Sequence, residues 1–394
     1  MKSSQHHHLA AKAAEIPTRT GAPELSAVLV RSMPYSGPPG EFMLKVPPVQ
    51  EAERATGEMC PPAGHAGPCF NRPRIALLSN PKSTGNIAQL PVIREYCDSH
   101  PDVFHYEVEE ARQIGDAMRI IARVRPKVLV INGGDGTVQA ALTELYNGGH
   151  FEGDPPPVAV LPSGKTNLIA LDLGARGDAI ETLERLIELA RADELSRYIV
   201  PRELIALRRP GAEDRPVIGM FLGGAGLAET MLYCRHKIYP LGLPNSVSHG
   251  LTFLAYVARL VLKLKAGFLP PAATITDLVM PMRDRISGRF ALLAVTTLNK
   301  MLLSDTLGGE GHGPLKVVAI EERTGTVLRA LAAGLTGGYK GKKMRGIHFE
   351  EVDEVTIEGD RSHLILDGET FCADRGNPIH LMPAQPLSFV KLAA

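Results

Sequence analysis

The chain has no run of about 18 or more apolar residues, so no membrane-spanning helix is expected and any membrane contact must be peripheral. It also lacks, near its N-terminus, the uninterrupted apolar segment of a secretory signal, and a cytoplasmic location is the expectation. Cysteine is scarce. Cys60, Cys69, Cys97, Cys234 and Cys372 are odd in number and show no C-x-x-C spacing, which argues against a disulfide framework or a zinc site and fits a reducing compartment. An excess of either charge is missing too: 43 basic residues balance 43 acidic ones, leaving no global field to draw in nucleic acid, so no nucleic-acid partner is expected. No internal repeat is visible.

What is present is the composition of a globular protein, 44% hydrophobic and 22% charged, over 394 residues, a length that suggests two domains. Residues 1–70 stand apart. They are rich in proline with little sustained periodicity, and read as a flexible extension whose His6, His7 and His8 form a solvated run.

From Arg74 onward, continuous apolar runs alternate with helical patterns. Ile75–Leu78, Val128–Ile131 and Val158–Leu161 each end in a polar, glycine-bearing segment, and 178–192 has helical spacing. Such alternation predicts a parallel sheet covered on both faces, a Rossmann-like α/β domain over 71–196. Beyond it, apolar or alternating runs at 198–208, 216–222, 273–282, 289–298, 315–321, 354–358, 363–366 and 379–390 predict a mainly antiparallel second domain over 197–394, a β-sandwich. Helices are expected at 225–236 and 250–265.

In an open parallel sheet the carboxyl ends of the strands share one edge, where ligands bind. Asn80-Pro81-Lys82-Ser83-Thr84-Gly85, Gly133-Gly134-Asp135-Gly136-Thr137 and Ser163-Gly164-Lys165-Thr166-Asn167 are therefore expected to face one crevice. Adjacent glycines let backbone N–H groups turn toward a phosphate without a Cβ in the way. Thr137 is expected to cap the following helix, whose N-terminus favours anions. Asp135 makes sense in a phosphate loop if it organises a divalent cation. A lone glycine turn reads equally well as a tight strand-to-helix connection; the two companion loops favour nucleotide binding.

Taken in order, Asn80-Pro81-x-Ser83-x-Gly85, Gly133-Gly134-Asp135-Gly136-Thr137 and Leu161-Pro162-x-Gly164-x-Thr166-Asn167 resemble the diacylglycerol kinase catalytic-domain family, which includes bacterial lipid kinases and is related to sphingosine and ceramide kinases. Gly223-Gly224-Ala225-Gly226, Glu354–Asp360 and Leu366-Asp367-Gly368-Glu369 resemble later family segments, so the likeness spans about 74 to 390. The resemblance implies an ATP- and Mg2+-dependent enzyme that phosphorylates a hydroxyl of diacylglycerol or a related lipid at a membrane surface. By the same resemblance Asp367 is the general base, Glu369 a neighbouring carboxylate, and Asn80, Ser83, Gly133–Thr137 and Gly164–Asn167 the nucleotide site, with Asp135 serving the metal. From the residues alone, Asp367-Gly368 reads first as a hairpin turn. If extended, Asp367 and Glu369 would share a face.

Some positions depart from the family. Lys165 stands where a threonine is usual, Leu168 where an acidic residue helps hold the metal network, and Ala111 where a threonine precedes a Gly-Asp-Ala segment. The acidic segment that holds a structural magnesium in bacterial relatives is absent around Gly311–Lys316, so no second metal site is expected. The alternatives are a non-catalytic nucleotide- or lipid-binding protein on the same fold, a NAD kinase, or a sphingoid-base kinase; a homodimer is left open. The helix at 250–265 has Leu254, Val257, Ala258, Val261 and Leu262 along one side. A membrane-facing surface is one reading, and burial of that stripe in the core is the favoured one. The basic run Lys340–Arg345 is a second candidate for membrane or phosphate contact, and reads first as a solvated loop.

Overall fold

The computed structural model describes residues 74–164, 167–175, 177–212, 214–263, 267–298, 310–311, 313–336 and 344–392. The extension at 1–70, Lys165, Thr166, His312 and the lysines of the 340–345 run lie outside the described residues. The protein is a mixed α/β structure whose strands form one hydrogen-bonded network, parallel in its N-terminal half and largely antiparallel afterwards.

The N-terminal half comprises β1 (Ile75–Ser79), α1 (Asn86–Asp98), β2 (Val103–Glu107), α2 (Ile114–Val124), β3 (Val128–Gly133), α3 (Asp135–Asn147), β4 (Val158–Pro162), α4 (Leu168–Asp172) and α5 (Ala179–Arg191). The four strands run parallel in the order β2-β1-β3-β4. Side-chain alternation divides each strand between two cores. Ala76, Leu78, Leu129, Ile131, Val158 and Val160 pack with Met118 and Ile121 of α2 and Leu142 of α3. Ile75, Leu77, Val128, Val130, Ala159 and Leu161 pack with Leu90 and Ile93 of α1 and Leu183 and Leu186 of α5. Both faces of the sheet are thus buried, which is why these strands read as continuous apolar runs.

The C-terminal half holds β5 (Ile199–Arg208), β6 (Val217–Gly219), β7 (Phe221–Gly224), α6 (Gly226–Tyr233), α7 (Asn245–Leu262), β8 (Ile275–Val279), β9 (Ile286–Thr296), β10 (Glu310–Gly311), β11 (Leu315–Glu321), α8 (Thr324–Thr336), β12 (Ile347–Val352), β13 (Val355–Gly359), β14 (Ser362–Leu366), β15 (Glu369–Ala373) and β16 (Ile379–Val390). Its strands surround a core that includes Ile205, Leu222, Phe290, Leu293, Val317, Ile357 and Leu364. The last strand ties the two halves together: β16 pairs antiparallel with β5 and, at Phe389↔Val158, parallel with β4. A π-helical turn, Cys234–Ile238, continues α6.

Helix α7 differs from the favoured expectation. Ser248, Thr252 and Tyr256 are its buried residues, whereas Leu254, Val261 and Leu262 are exposed. Leu254, Val261 and Leu262 face outward, whereas Val257 of the same stripe packs on the core beside Tyr256 and Leu260; on that inner side Thr324 Oγ1 donates to the Leu260 carbonyl, and Arg259 forms an ion pair with Glu322.

Candidate active site

Strand register creates the site. Ser79 lies opposite Asn132, Asn132 opposite Leu161, and Gly133 opposite Pro162, so the three polar segments leave the sheet side by side. Buried amides and hydroxyls lock them together. Asn132 Nδ2 donates to Ser79 Oγ (3.0 Å), and its Oδ1 accepts from Ser163 Oγ. Asn86 Nδ2 donates to the carbonyls of Asn80 (2.8 Å) and Asn132 (3.0 Å). Buried polar groups are tolerable when satisfied, and in this set only Asn86 Oδ1 lacks a hydrogen-bond partner.

In the first segment, Asn80 Nδ2 donates to Thr137 Oγ1 (2.8 Å), while Ser83 Oγ and the Gly85 amide donate to the Ser163 carbonyl (2.6 and 3.0 Å). Asn80 and Ser83 thus brace the other two segments. Gly134 is the residue at the N-cap of α3, and no side chain caps that helix. Thr137 therefore does not cap it: it occupies the third helical position, where its hydroxyl is turned to Asn80. Glycine is needed where the segments meet. A Cβ on Gly164 would sit 2.9 Å from Gly134 Cα, and one on Gly133 would sit 2.7 Å from Thr137 Cβ. Asn167, left-handed at φ 54°, accepts from the Gly164 amide through Oδ1 (2.6 Å) and closes the third segment.

Asp135 opens α3. Burial pushes its carboxyl up to about 6, countered by the backbone N–H of Leu168 that it accepts. The position that carries leucine here thus supports Asp135 through its main chain.

The hairpin between β14 and β15 completes the arrangement. Asp367 and Gly368 are both left-handed (φ 43° and 96°), the two-residue turn that fits the twist of a hairpin. They are not extended, so Asp367 and Glu369 do not present a common strand face. The turn and the carboxylate functions coexist. Asp367 is buried, with Oδ2 accepting from the Met220 amide (2.7 Å) and Oδ1 from the Phe221 amide (3.1 Å). Burial pushes its carboxyl up to about 7; the two amides oppose the shift and the charge of Asp135 adds to it. Glu369 reaches the glycine loop: a Cβ on Gly136 would lie 2.9 Å from its Oε1, and one on Gly368 would lie 3.5 Å from the Gly136 amide nitrogen.

Thirteen residues expected at the site divide clearly by position. Asn80, Ser83, Gly133–Thr137, Gly164 and Asn167 converge at the sheet edge, Asp367 and Glu369 meet them from the C-terminal half, and Lys165 and Thr166 lie outside the described residues. Sequence reasoning missed Asn132, Gly219, where a Cβ would lie 2.5 Å from Asp367 Oδ2, the amides of Met220 and Phe221, and Arg235, whose Nη2 donates to the Gly368 carbonyl (3.1 Å). An asparagine ending the apolar run Val128–Ile131 was the available signal for the first. Nothing local marks the others.

Among the described residues no group of three or more His, Cys, Asp or Glu side chains is placed to hold a metal ion by itself. The donor set nonetheless fits a magnesium ion that takes one or two carboxylates and completes its shell with phosphate and water.

Residues 74–195 match the family model described as the diacylglycerol kinase catalytic domain. Two solved structures of a candidate diacylglycerol kinase from Bacillus anthracis str. Sterne resemble the chain with a TM-score of 0.52 at 14% identity, covering 81% of this chain and 97% of theirs. At that identity the likeness is one of fold. No curated protein matches the chain in sequence.

Proposed function

From the match of residues 74–195 to the diacylglycerol kinase catalytic domain, we propose that the protein is an ATP-dependent lipid kinase that transfers the γ-phosphoryl group to a hydroxyl of diacylglycerol or a related lipid. The observation that carries this reading is the approach of the Asp367-Gly368-Glu369 turn to Gly136, which sets a buried carboxylate beside a glycine phosphate loop. We assign nucleotide binding to the Rossmann-like domain, 71–196, and the acceptor lipid to the sandwich-like domain, 197–394.

In this mechanism Asn80, Ser83, the 133–137 loop and Gly164–Asn167 cradle the ATP phosphates, with the N-terminus of α3 aimed at their charge. Asp135 and Glu369 would hold a magnesium ion, which would supply neutralisation of phosphate charge. Asp367 removes the proton from the acceptor hydroxyl. Its two amide donors engage one lone pair on each oxygen and leave another free for that proton. Burial raises the basicity of that carboxylate above an ordinary aspartate's, which suits it to accept a proton. In-line transfer then needs positioning and charge stabilisation more than covalent help.

Purified protein should transfer radiolabelled phosphate from ATP to a lipid in mixed micelles, and Asp367→Asn should abolish transfer. Full activity in that variant would remove Asp367 from the mechanism. Leu168, an apolar side chain where the resemblance leads one to expect a carboxylate, favours a second reading: a nucleotide- or lipid-binding protein without turnover. ATP binding by calorimetry, with no product across a panel that includes diacylglycerols and sphingoid bases, would select it. NADP formation would select a NAD kinase.

A further inference from the structure

Helix α7 carries apolar side chains on two sides: Tyr256, Val257 and Leu260 pack on the core beside buried hydroxyls, and a second set faces out. Its inward residues include Ser248 (0% exposed) and Thr252 (3%), whereas Leu254 (64%) and Leu262 (63%) face out, with Val247, Leu251 and Val261 exposed along the same side. An ordinary surface helix buries its apolar stripe, and large exposed apolar patches mark interaction surfaces. From Thr230 to Thr276 the chain contains no Asp or Glu, although the protein as a whole has as many acidic as basic residues. Exposed Arg235, Lys237 and Lys263 lie in that stretch.

We propose that the outer face of α7, with the basic turn before it, docks the protein on an anionic lipid bilayer. Charge complementarity selects this occupant over a second copy: the segment has no carboxylates to meet the cations of a partner, whereas anionic headgroups meet apolar and basic groups together. Location agrees. Arg235, in the π-helical turn that precedes α7, donates to the Gly368 carbonyl of the Asp367 hairpin (3.1 Å), so the docking face adjoins the catalytic turn. The inference rests on the lipid-kinase reading for its purpose, but not for its test.

The full chain, without nucleotide, is sedimented with vesicles of phosphatidylcholine alone or mixed with phosphatidylserine. Wild type should partition onto the mixed vesicles and weakly onto the neutral ones. Leu251→Glu combined with Leu254→Glu should lower that partition at least about tenfold, and Lys237→Gln or Lys263→Gln about fivefold each. These side chains are exposed, so thermal melting should not change, and phosphorylation of a monomeric short-chain acceptor should persist while activity on vesicles falls. Absence of wild-type binding to anionic vesicles would overturn the proposal, as would undiminished binding by the double variant. A wild-type dimer that the double variant dissociates, with vesicle binding unchanged, would assign the face to a second copy. Vesicle binding without phosphorylation of any lipid would refute the kinase reading and leave the docking surface standing.

Discussion

Replacing Asp367 by asparagine should make the protein more stable at alkaline pH and less stable in acid, because the site holds its charge at a cost. The carboxyl has an ordinary value of 3.8 and is pushed to about 7 by burial. Between those values the folded state binds the proton more tightly than the unfolded state, so stability falls as pH rises from about 4 to about 7. A shift of roughly three units at about 1.4 kcal/mol each gives a loss of about 4 kcal/mol, complete above pH ~7. Asparagine carries no charge and removes that loss. Its amide can accept from only one of the Met220 and Phe221 N–H groups, and the other is left unsatisfied at a cost of about 1–3 kcal/mol. The variant should therefore be about 1–3 kcal/mol more stable than wild type near pH 8 and less stable by a similar amount near pH 4. Urea denaturation at both pH values, with chelator present, measures the difference, and comparison with wild type cancels groups that titrate alike in both proteins. A pH-independent difference between the two would show that Asp367 does not hold its proton more tightly in the fold, and would undo its assignment as a base tuned by burial.

Other expectations follow from contacts elsewhere. Gly164→Ala would press a Cβ against Gly134 Cα and push the second and third glycine segments away from each other, so on the proposed function the Kd for ATP should rise at least about tenfold by calorimetry with little change in melting temperature. Gly219→Ala would place a Cβ 2.5 Å from Asp367 Oδ2, and kcat should fall by about 10²-fold while the affinity for ATP is kept. Arg202→Met breaks a buried pair with Asp172 (2.6 Å) and should cost about 3–5 kcal/mol in urea unfolding; Asp172→Asn in the same chain should recover some of that loss. Chelation of divalent cations should abolish phosphoryl transfer, and added magnesium should restore it in wild type but poorly in Asp135→Asn, as a radiolabel assay would show.

By itself the sequence determined the pieces whose physics is local. The apolar runs of β1, β3 and β4 declared buried parallel strands because helices cover both faces, and the glycine segments after them declared places where backbone must come close to something. Strand β2 was not legible, since its sequence Val103-Phe104-His105-Tyr106-Glu107 lies at the sheet edge with only one residue buried. The turn at Asp367-Gly368 was legible as a turn. That its carboxylate is buried against two amides some 146 residues earlier was not, because a long-range hydrogen bond leaves no mark on the sequence around it. The same limit explains Thr137, whose hydroxyl suits a cap but is claimed by Asn80 across the sheet edge. On α7 periodicity identified an apolar stripe and favoured its burial, which holds for Val257 but not for Leu254, Val261 and Leu262. The tertiary structure decided that division, since the side of the helix that the core receives is the one with the inward hydroxyls and the Arg259–Glu322 pair.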